Sequence, residues 1–435
     1  MTQKTASMDV VVVGGGIAGL AVAAYVAAAG RSVRVLEKAS RLGGRGATEV
    51  VSGFSLNRGP HALYRASEGA KVLAEVGVET PGRSPSGAGF AIHRGALHDL
   101  PGKALSLLGT SLLRFNEKAT VARLMARLPT LDAESLSGTT VTEFLDREGA
   151  RGTVRSLLEA LFRLTTYQNE PDRESARTPV RKLQHAMKGG VLYVDGGWQT
   201  LVRGLAKRAE AYGATIEVSR RVAALRHEGA RVTGVTLADG TELSASVVVL
   251  TCDPHHVKAL LDGAHLPSPS GLANVVPVRV ATLDLALRKL TRPEHLFAVG
   301  IDRPLYYSVH SASAALGPEG HAMIHVSKYL GAETTDEDAD RKELEGLMDL
   351  MQPGWRSECV HAQWLPRMVA AERLDRADDG GPEGRPAAVV PEARGLYLAG
   401  DWVQGGSFLV DASLESARLA SSSILRAFER MRSVA

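Results

Sequence analysis

The stretch "DVVVVGGGIAGLAVAAYVAAAG", Asp9–Gly30, decides how the rest of the chain is read. Its apolar length alone would suit a membrane span, since about 20 such residues cross a bilayer. Its internal punctuation points elsewhere. Val10–Val13 is a β-branched run of the kind found in buried strands. Gly14, Gly15 and Gly16 cluster where it stops, and a glycine inside a helix costs about 1 kcal/mol against alanine. Ile17–Ala29 then reads as an alanine-rich helix. Only Lys4 precedes the run, Asp9 abuts it and no small-residue cleavage site follows, so a signal peptide is not expected. Strand, glycine turn and helix are the expected elements.

Gly14-x-Gly16-x-x-Gly19 falls where a dinucleotide fingerprint requires it, after a strand and opening a helix. The first glycine allows the tight turn, the second a close approach of backbone to pyrophosphate, the third close helix–strand packing. The helix N-terminus offers free N–H groups to the phosphates. "RSVRVLEK" supplies a second strand, Val33–Leu36, ending in Glu37. That carboxylate stands at the distance, roughly 20 residues on, expected of a ribose 2′-OH acceptor, and it disfavours a 2′-phosphate. Lys38 is assigned to the same site. The segment Arg41-x-Gly43-Gly44-Arg45-Gly46 then selects FAD over NAD. Adjacent glycines between arginines describe a second backbone approach to an anion, with charge-assisted donors on either side.

Composition is consistent with a globular chain of two or three domains' worth of core: 435 residues, 44% hydrophobic. Basic and acidic residues number 51 and 48, a net charge of +3, so no nucleic-acid partner is implied. Cys252 and Cys359 are too few and too far apart for a disulfide framework or a CxxC site, and a reducing cytoplasm is the expected compartment. His255 and His256 open a helix after Pro254. Adjacent helical residues do not share a face, so they are read as structural and no metal site is assigned.

Beyond residue 100 the pattern turns helical up to about Lys188. "TVTEFLDREG" carries a capping box, Thr140 to Glu143. "KALSLLGTSLL", 103–113, is expected as a buried helix rather than one that touches a membrane surface. Residues 189–270 return to a nucleotide-domain pattern. Gly196-Gly197-Trp198 leads into a helix, "VTGVTL" pairs with "ELSASV" across Ala238–Gly240, and Val247–Thr251 is a buried strand. Residues 275–370 read as β-rich. The chain closes with a strand, Leu396–Ala399, the turn Gly400-Asp401 and a long helix from Asp411.

The set "VVVGGGIAGL", "LEKASRLGGR", "GGWQTLVRGLAKRAEAYGATI", "VVVLTCDP" and "GLYLAGDW…DASLESA" resembles the FAD-dependent amine oxidoreductase clan. This clan includes flavin amine oxidases, phytoene desaturases and protoporphyrinogen oxidase. The resemblance implies an α/β fold: a Rossmann-type FAD-binding domain assembled from three segments, 1–84, 189–270 and 386–435. An α+β substrate domain would comprise a helical insert, 85–188, and a sheet part, 271–385. Gly14, Gly16 and Gly19 would face the pyrophosphate, Glu37 would hold the adenosine ribose, and Arg45 with Gly43 and Gly44 would flank the phosphate–ribityl junction. Val222 would meet the adenine edge. Gly400-Asp401 would contact the ribityl or phosphate. The helix start at Asp411-Ala412 would aim its N–H groups at the flavin pyrimidine, where a helix N-terminus stabilises an anion.

The implied reaction is hydride transfer from a substrate C–H to flavin N5, leaving C=N or C=C, with oxygen or a quinone as electron acceptor. The flavin carries the chemistry and the protein orients it. Candidate residues above the flavin are His61, after Gly59-Pro60, and Tyr306 and Tyr307. The two tyrosines are neighbours in a strand, so at most one faces the substrate. Leu409 stands where the clan's amine oxidases carry a cage tyrosine, with Phe408 one residue off. Lys328 is the one lysine considered for a place near N5, and a solvated strand position is the expectation for it. Simple primary amines are therefore not favoured, and a small, largely apolar substrate is. The alternatives are a carotenoid-type desaturase, an NAD(P)H-reduced monooxygenase or reductase, and a non-catalytic flavin-binding protein. No second GxGxxG is evident, which weighs against NAD(P)H.

Overall fold

In a computed structural model, residues 8–102, 104–333 and 335–434 are described. The apolar opening run divides as its glycines dictate, into strand Met8–Val13 and helix Ile17–Ala28. Ten of the twelve helix residues are buried, because the helix lies between the sheet and two other helices, Gln199–Ala211 and the C-terminal Val410–Val434.

Strand Met8–Val13 is central to a seven-stranded sheet. It pairs in parallel with Val33–Leu36 on one side and Glu242–Leu250 on the other. Thr215–Glu217 extends the first side, and Leu396–Leu398 pairs in parallel with Glu242–Leu250. The antiparallel hairpin expected around Ala238–Gly240 forms between Arg231–Leu237 and Glu242–Leu250. Three stretches far apart in sequence thus build one doubly covered sheet, whose two faces carry separate apolar cores. Parallel strands buried on both faces read as continuous Val/Leu runs, as these do. The ends of four of them, Val13, Leu36, Leu250 and Leu398, lie along one edge. That edge, outside the carboxyl ends of the strands, is where α/β sheets bind ligands.

A second seven-stranded sheet runs Cys359–Ala371, Val278–Leu287, Ala322–Tyr329, Leu305–Val309, Phe297–Gly300, Phe90–His93, Ala96–Asp99. One of its faces is covered by helix Glu337–Met351 through Leu344, Leu347, Met348 and Met351. The β-rich reading of 275–370 did not include this helix. Its signals were in the sequence: Asp336 caps the N-terminus, and the apolar residues recur at helical spacing. The helical insert packs its apolar residues from Leu112 to Leu183 against Ala91, Val299 and Ile301 at the second sheet, and the Thr140–Glu143 capping box forms with both reciprocal hydrogen bonds.

One expectation for the insert is overturned. Residues 104–109 do form a helix, but none of its residues is buried, and Leu105 and Leu108 face outward. Lys103 of the same stretch lies outside the described residues. Among the described residues no helix is long and apolar enough to cross a membrane.

Candidate active site

A cavity of about 780 Å³ opens along the edge where the parallel strands end and continues to the second sheet. Its floor is the glycine turn. Gly14 sits at φ 117°, a conformation that favours glycine, and its N–H donates to the Leu36 carbonyl. A Cβ on Gly14 would lie 2.6 Å from Thr251 Oγ1, and one on Gly19 would lie 2.0 Å from the Gly14 carbonyl oxygen. Gly19 is therefore a packing glycine under the turn. It does not face the cavity, which corrects the expectation that all three glycines would.

Gly16 behaves differently. A Cβ there would meet only the Gly43 carbonyl, 3.9 Å away, and Gly44 is equally open. Gly16 and Gly43 form an isolated parallel bridge, and Gly43 N–H donates to the Gly15 carbonyl. The two glycine-rich turns are thus held against each other, with open cavity above both. This is a cradle that side chains would fill, as a pyrophosphate site requires. Buried Trp198 also lines the cavity, and its indole N–H has no partner among the described residues. An orphaned buried donor on a cavity wall fits a ligand rich in acceptors. The residues present fit FAD.

Glu37 and Lys38 line the same cavity, as do Val222 and His256. The Glu37 carboxylate accepts from Gly15 N–H and Ala39 N–H, both at 2.7 Å, which ties strand end to glycine turn. Arg45 lines the cavity from the second turn and makes a two-pronged pair with Asp401, at 2.7 and 2.5 Å. Burial opposes the Arg45 charge, yet Asp401 and Glu372 hold its pKa above the ordinary value. Asp401 also accepts from Glu372 N–H. Its carboxylate is turned to Arg45, so only the remaining Gly400–Asp401 surface is left to meet a ligand.

Leu409, Val410 and Ser413 line the cavity, whereas Asp411 and Ala412 are turned inward and buried. Leu409 adopts φ 58°, strained for a branched side chain, where the chain enters the terminal helix. The Asp411 carboxylate accepts from Ser67 Oγ (2.7 Å) and Lys182 Nζ (2.9 Å). Lys182 lines the cavity and sits 3.5 Å from the centre of the Tyr64 ring, another lining residue. Sequence reasoning missed Lys182. Its one signal is a lysine on the stripe that buries Thr178, Val180 and Leu183. Lys328, in contrast, pairs with Asp340 at 2.6 Å and Glu343 at 2.8 Å, a structural cluster outside this cavity.

His61 lines the cavity, with its ring 4.6 Å from that of Trp198. Burial pushes its pKa down to about 4, so the ring is neutral at pH 7. Its Nδ1 lies 2.9 Å from the Gly59 carbonyl, which can only accept. The proton is thus on Nδ1, and Nε2 is left as an acceptor.

Tyr306 and Tyr307 do not reach the cavity. Tyr307 is in the core under helix Glu337–Met351, where its hydroxyl donates to the His295 carbonyl and accepts from Gln352. Tyr306 points to the other face but stops one layer short, its hydroxyl 3.1 Å from His310 Nε2. The tyrosines that line the cavity are Tyr64 and Tyr167; Tyr167 stands at the end of helix Gly152–Thr166, with its hydroxyl donating to the Pro60 carbonyl.

Another part of the lining comes from Leu365–Ala370 and from Leu164, Thr165 and Tyr167. Pro366 interrupts edge strand Cys359–Ala371 where its register against Val278–Leu287 shifts, and an edge or bulge is where a strand tolerates proline. This wall is apolar apart from Thr165 and Arg367. The acids that line the cavity are Glu37, Asp253, Glu372 and Asp401; Glu372 and Asp401 are engaged by Arg45, which also donates to the Ala370 carbonyl.

A parallel sheet, two facing glycine turns and a cavity shared with a second sheet are the parts of an FAD-binding site. The chain belongs to the flavin containing amine oxidoreductase family, whose sequence pattern is matched over residues 17–425. It is similar to a Mycobacterium tuberculosis protein named as a flavin-containing monoamine oxidase, AofH, at 27% identity over 61% of this chain and 62% of the relative. It is also similar to phytoene dehydrogenase of Streptomyces griseus, at 27% identity over 62% of this chain and 59% of the relative. The matches thus span under two thirds of these relatives' length. The fold is that of putrescine oxidase, with a TM-score of 0.75 at 17% identity, covering 97% of this chain and 99% of the other.

Proposed function

We propose that the protein is an FAD-dependent oxidase or dehydrogenase acting on a small, largely apolar molecule. With FAD bound, the cofactor supplies a two-electron acceptor for a hydride from a substrate C–H, and the product gains a C=N or C=C bond. Gly16, Gly43 and Gly44 would admit the pyrophosphate, Glu37 the ribose, and Val222 the adenine edge. The first turn of the terminal helix would present its N–H groups, which have no partners within the helix, to the flavin. His61, neutral and with Nε2 as an acceptor, would receive a proton or orient the substrate.

The observation that carries this reading is the wall formed by Leu164, Thr165, Tyr167 and Leu365–Ala370. Apart from Thr165 and Arg367 it offers apolar and aromatic surface, and it carries no carboxylate. An ammonium group would be buried there without a counter-ion, which is strongly unfavourable, whereas a neutral amine or a hydrocarbon would not be. Electrons would leave to oxygen or a quinone. The two cysteines are both free, consistent with a reducing compartment.

The test follows flavin absorbance anaerobically. NADH and then NADPH should leave the flavin oxidised, while a member of a panel of hydrophobic cyclic amines and polyenes should bleach it. Rapid bleaching by either nicotinamide would refute the proposal and favour a monooxygenase or reductase.

A further inference from the structure

The exposed apolar residues of the helical insert are concentrated at one place. Leu105 and Leu108, on helix Ala104–Gly109, are 84% and 70% exposed, and Phe115, at the start of the next helix, is 89% exposed. Three large side chains so open and so near in sequence are not ordinary surface scatter. The two helices are packed together, and Lys118 Nζ donates to the Leu108 carbonyl at 2.7 Å.

Helix Phe115–Arg127 explains what this face is for. It buries Val121 and Leu124 against the insert's core. Phe115, Ala119, Ala122 and Ala126 recur at i, i+4, i+7 and i+11, so they form a stripe along the opposite, exposed side. Advancing about 100° per residue puts Lys118 on one flank of that stripe and Arg123 and Arg127 on the other. Over residues 100–127 the bases are Lys103, Arg114, Lys118, Arg123 and Arg127, and the only acid is Glu117. Glu117 is engaged locally, accepting from Arg114 N–H. Arg127 is paired with Glu148, while Arg114 makes the tip itself basic.

A shallow apolar stripe between basic flanks, with two leucines and a phenylalanine at its tip, matches a bilayer interface in chemistry. Apolar side chains enter the acyl boundary while bases meet anionic headgroups. We infer that the helix pair Ala104–Gly109 and Phe115–Arg127 docks this protein reversibly on an anionic lipid surface. This is peripheral binding and uses none of the residues assigned to the flavin cavity.

The test uses the full chain with its flavin and two kinds of vesicle, phosphatidylcholine alone and an equimolar mixture with phosphatidylglycerol. Co-sedimentation should be clear with the mixture and weak with phosphatidylcholine. Raising ionic strength from about 0.1 M to about 1 M, which shortens the screening length from about 10 to about 3 Å, should release the protein. The variant Leu105→Ser/Leu108→Ser/Phe115→Ser should lose at least about tenfold in partitioning while keeping its flavin content and circular dichroism. No binding to the anionic vesicles, or equal binding by the triple variant, would overturn the inference. So would concentration-dependent dimerisation that the triple variant abolishes without any vesicle binding, since the face would then belong to a second copy of the chain.

Discussion

Replacing Lys182 by methionine tests the buried charges beside the cavity. Lys182 and Asp411 are 3% and 1% exposed, and their charged atoms are 2.9 Å apart. At an effective permittivity of about 20, that separation corresponds to a gross attraction of about 6 kcal/mol. Much of this is offset by the desolvation of both ions, so the intact pair contributes little net stability. Breaking it is different. Methionine fills most of the lysine's volume, but the buried Asp411 carboxyl loses its counter-ion and keeps, among the described residues, the Ser67 hydroxyl as a partner. The expected loss is about 3–5 kcal/mol. Urea unfolding followed by far-UV circular dichroism reads it as a fall in midpoint at unchanged slope. The double variant Lys182→Met/Asp411→Asn removes both charges, and should recover about 2 kcal/mol or more of the loss. A single variant within about 1 kcal/mol of the parent, or a double variant no more stable than the single one, would show that the pair is solvated and the argument wrong.

Further outcomes follow from the same geometry. Gly16→Ala should leave the apo-protein's stability within about 0.5 kcal/mol, since its Cβ meets only open cavity, yet weaken FAD at least about tenfold by titration of the apo-protein. Gly19→Ala should instead lower thermal stability itself, because its Cβ would collide with the Gly14 carbonyl. Burial raises the Glu174 pKa to about 8, so the folded protein keeps a proton that the unfolded chain releases near pH 4.3. Stability should therefore fall as pH rises from about 4.3 to about 8, by up to roughly 5 kcal/mol. Glu174→Gln should flatten that slope, and a variant as pH-sensitive as the parent would exclude Glu174 as its source. His61→Ala should slow flavin reduction by about 100-fold or more with flavin content retained, whereas Tyr307→Phe should leave it within about twofold, in stopped-flow absorbance.

The nucleotide half of the site was legible because backbone conformation and close approach leave few residue choices. Gly14 needs a positive φ, Gly19 has no room for a Cβ, and Gly43 and Gly44 must come up to Gly16. Each requirement is local, so it appears as a spacing. The substrate half was less legible. Tyr306 and Tyr307 could be assigned to opposite faces, but not to a depth, and neither reaches the cavity. Helix Glu337–Met351 carried ordinary helix signals and was lost within a β-rich stretch.

What the sequence determined alone was the set of elements that any parallel dinucleotide-binding sheet must have: the strand–glycine–helix opening, the acid at the second strand's end, the capped helices and the terminal strand-turn-helix. Local stereochemistry and periodicity decide these. Tertiary structure alone decided that Asp401 faces Arg45 and that Asp411 faces Lys182. It also placed Tyr167 where a sequence-adjacent pair had been expected, and left Leu105, Leu108 and Phe115 uncovered. The physical reason is that each of these depends on which distant segment supplies the partner. The Asp401–Arg45 and Asp411–Lys182 pairs span 356 and 229 residues, and no periodicity along the chain records such a choice.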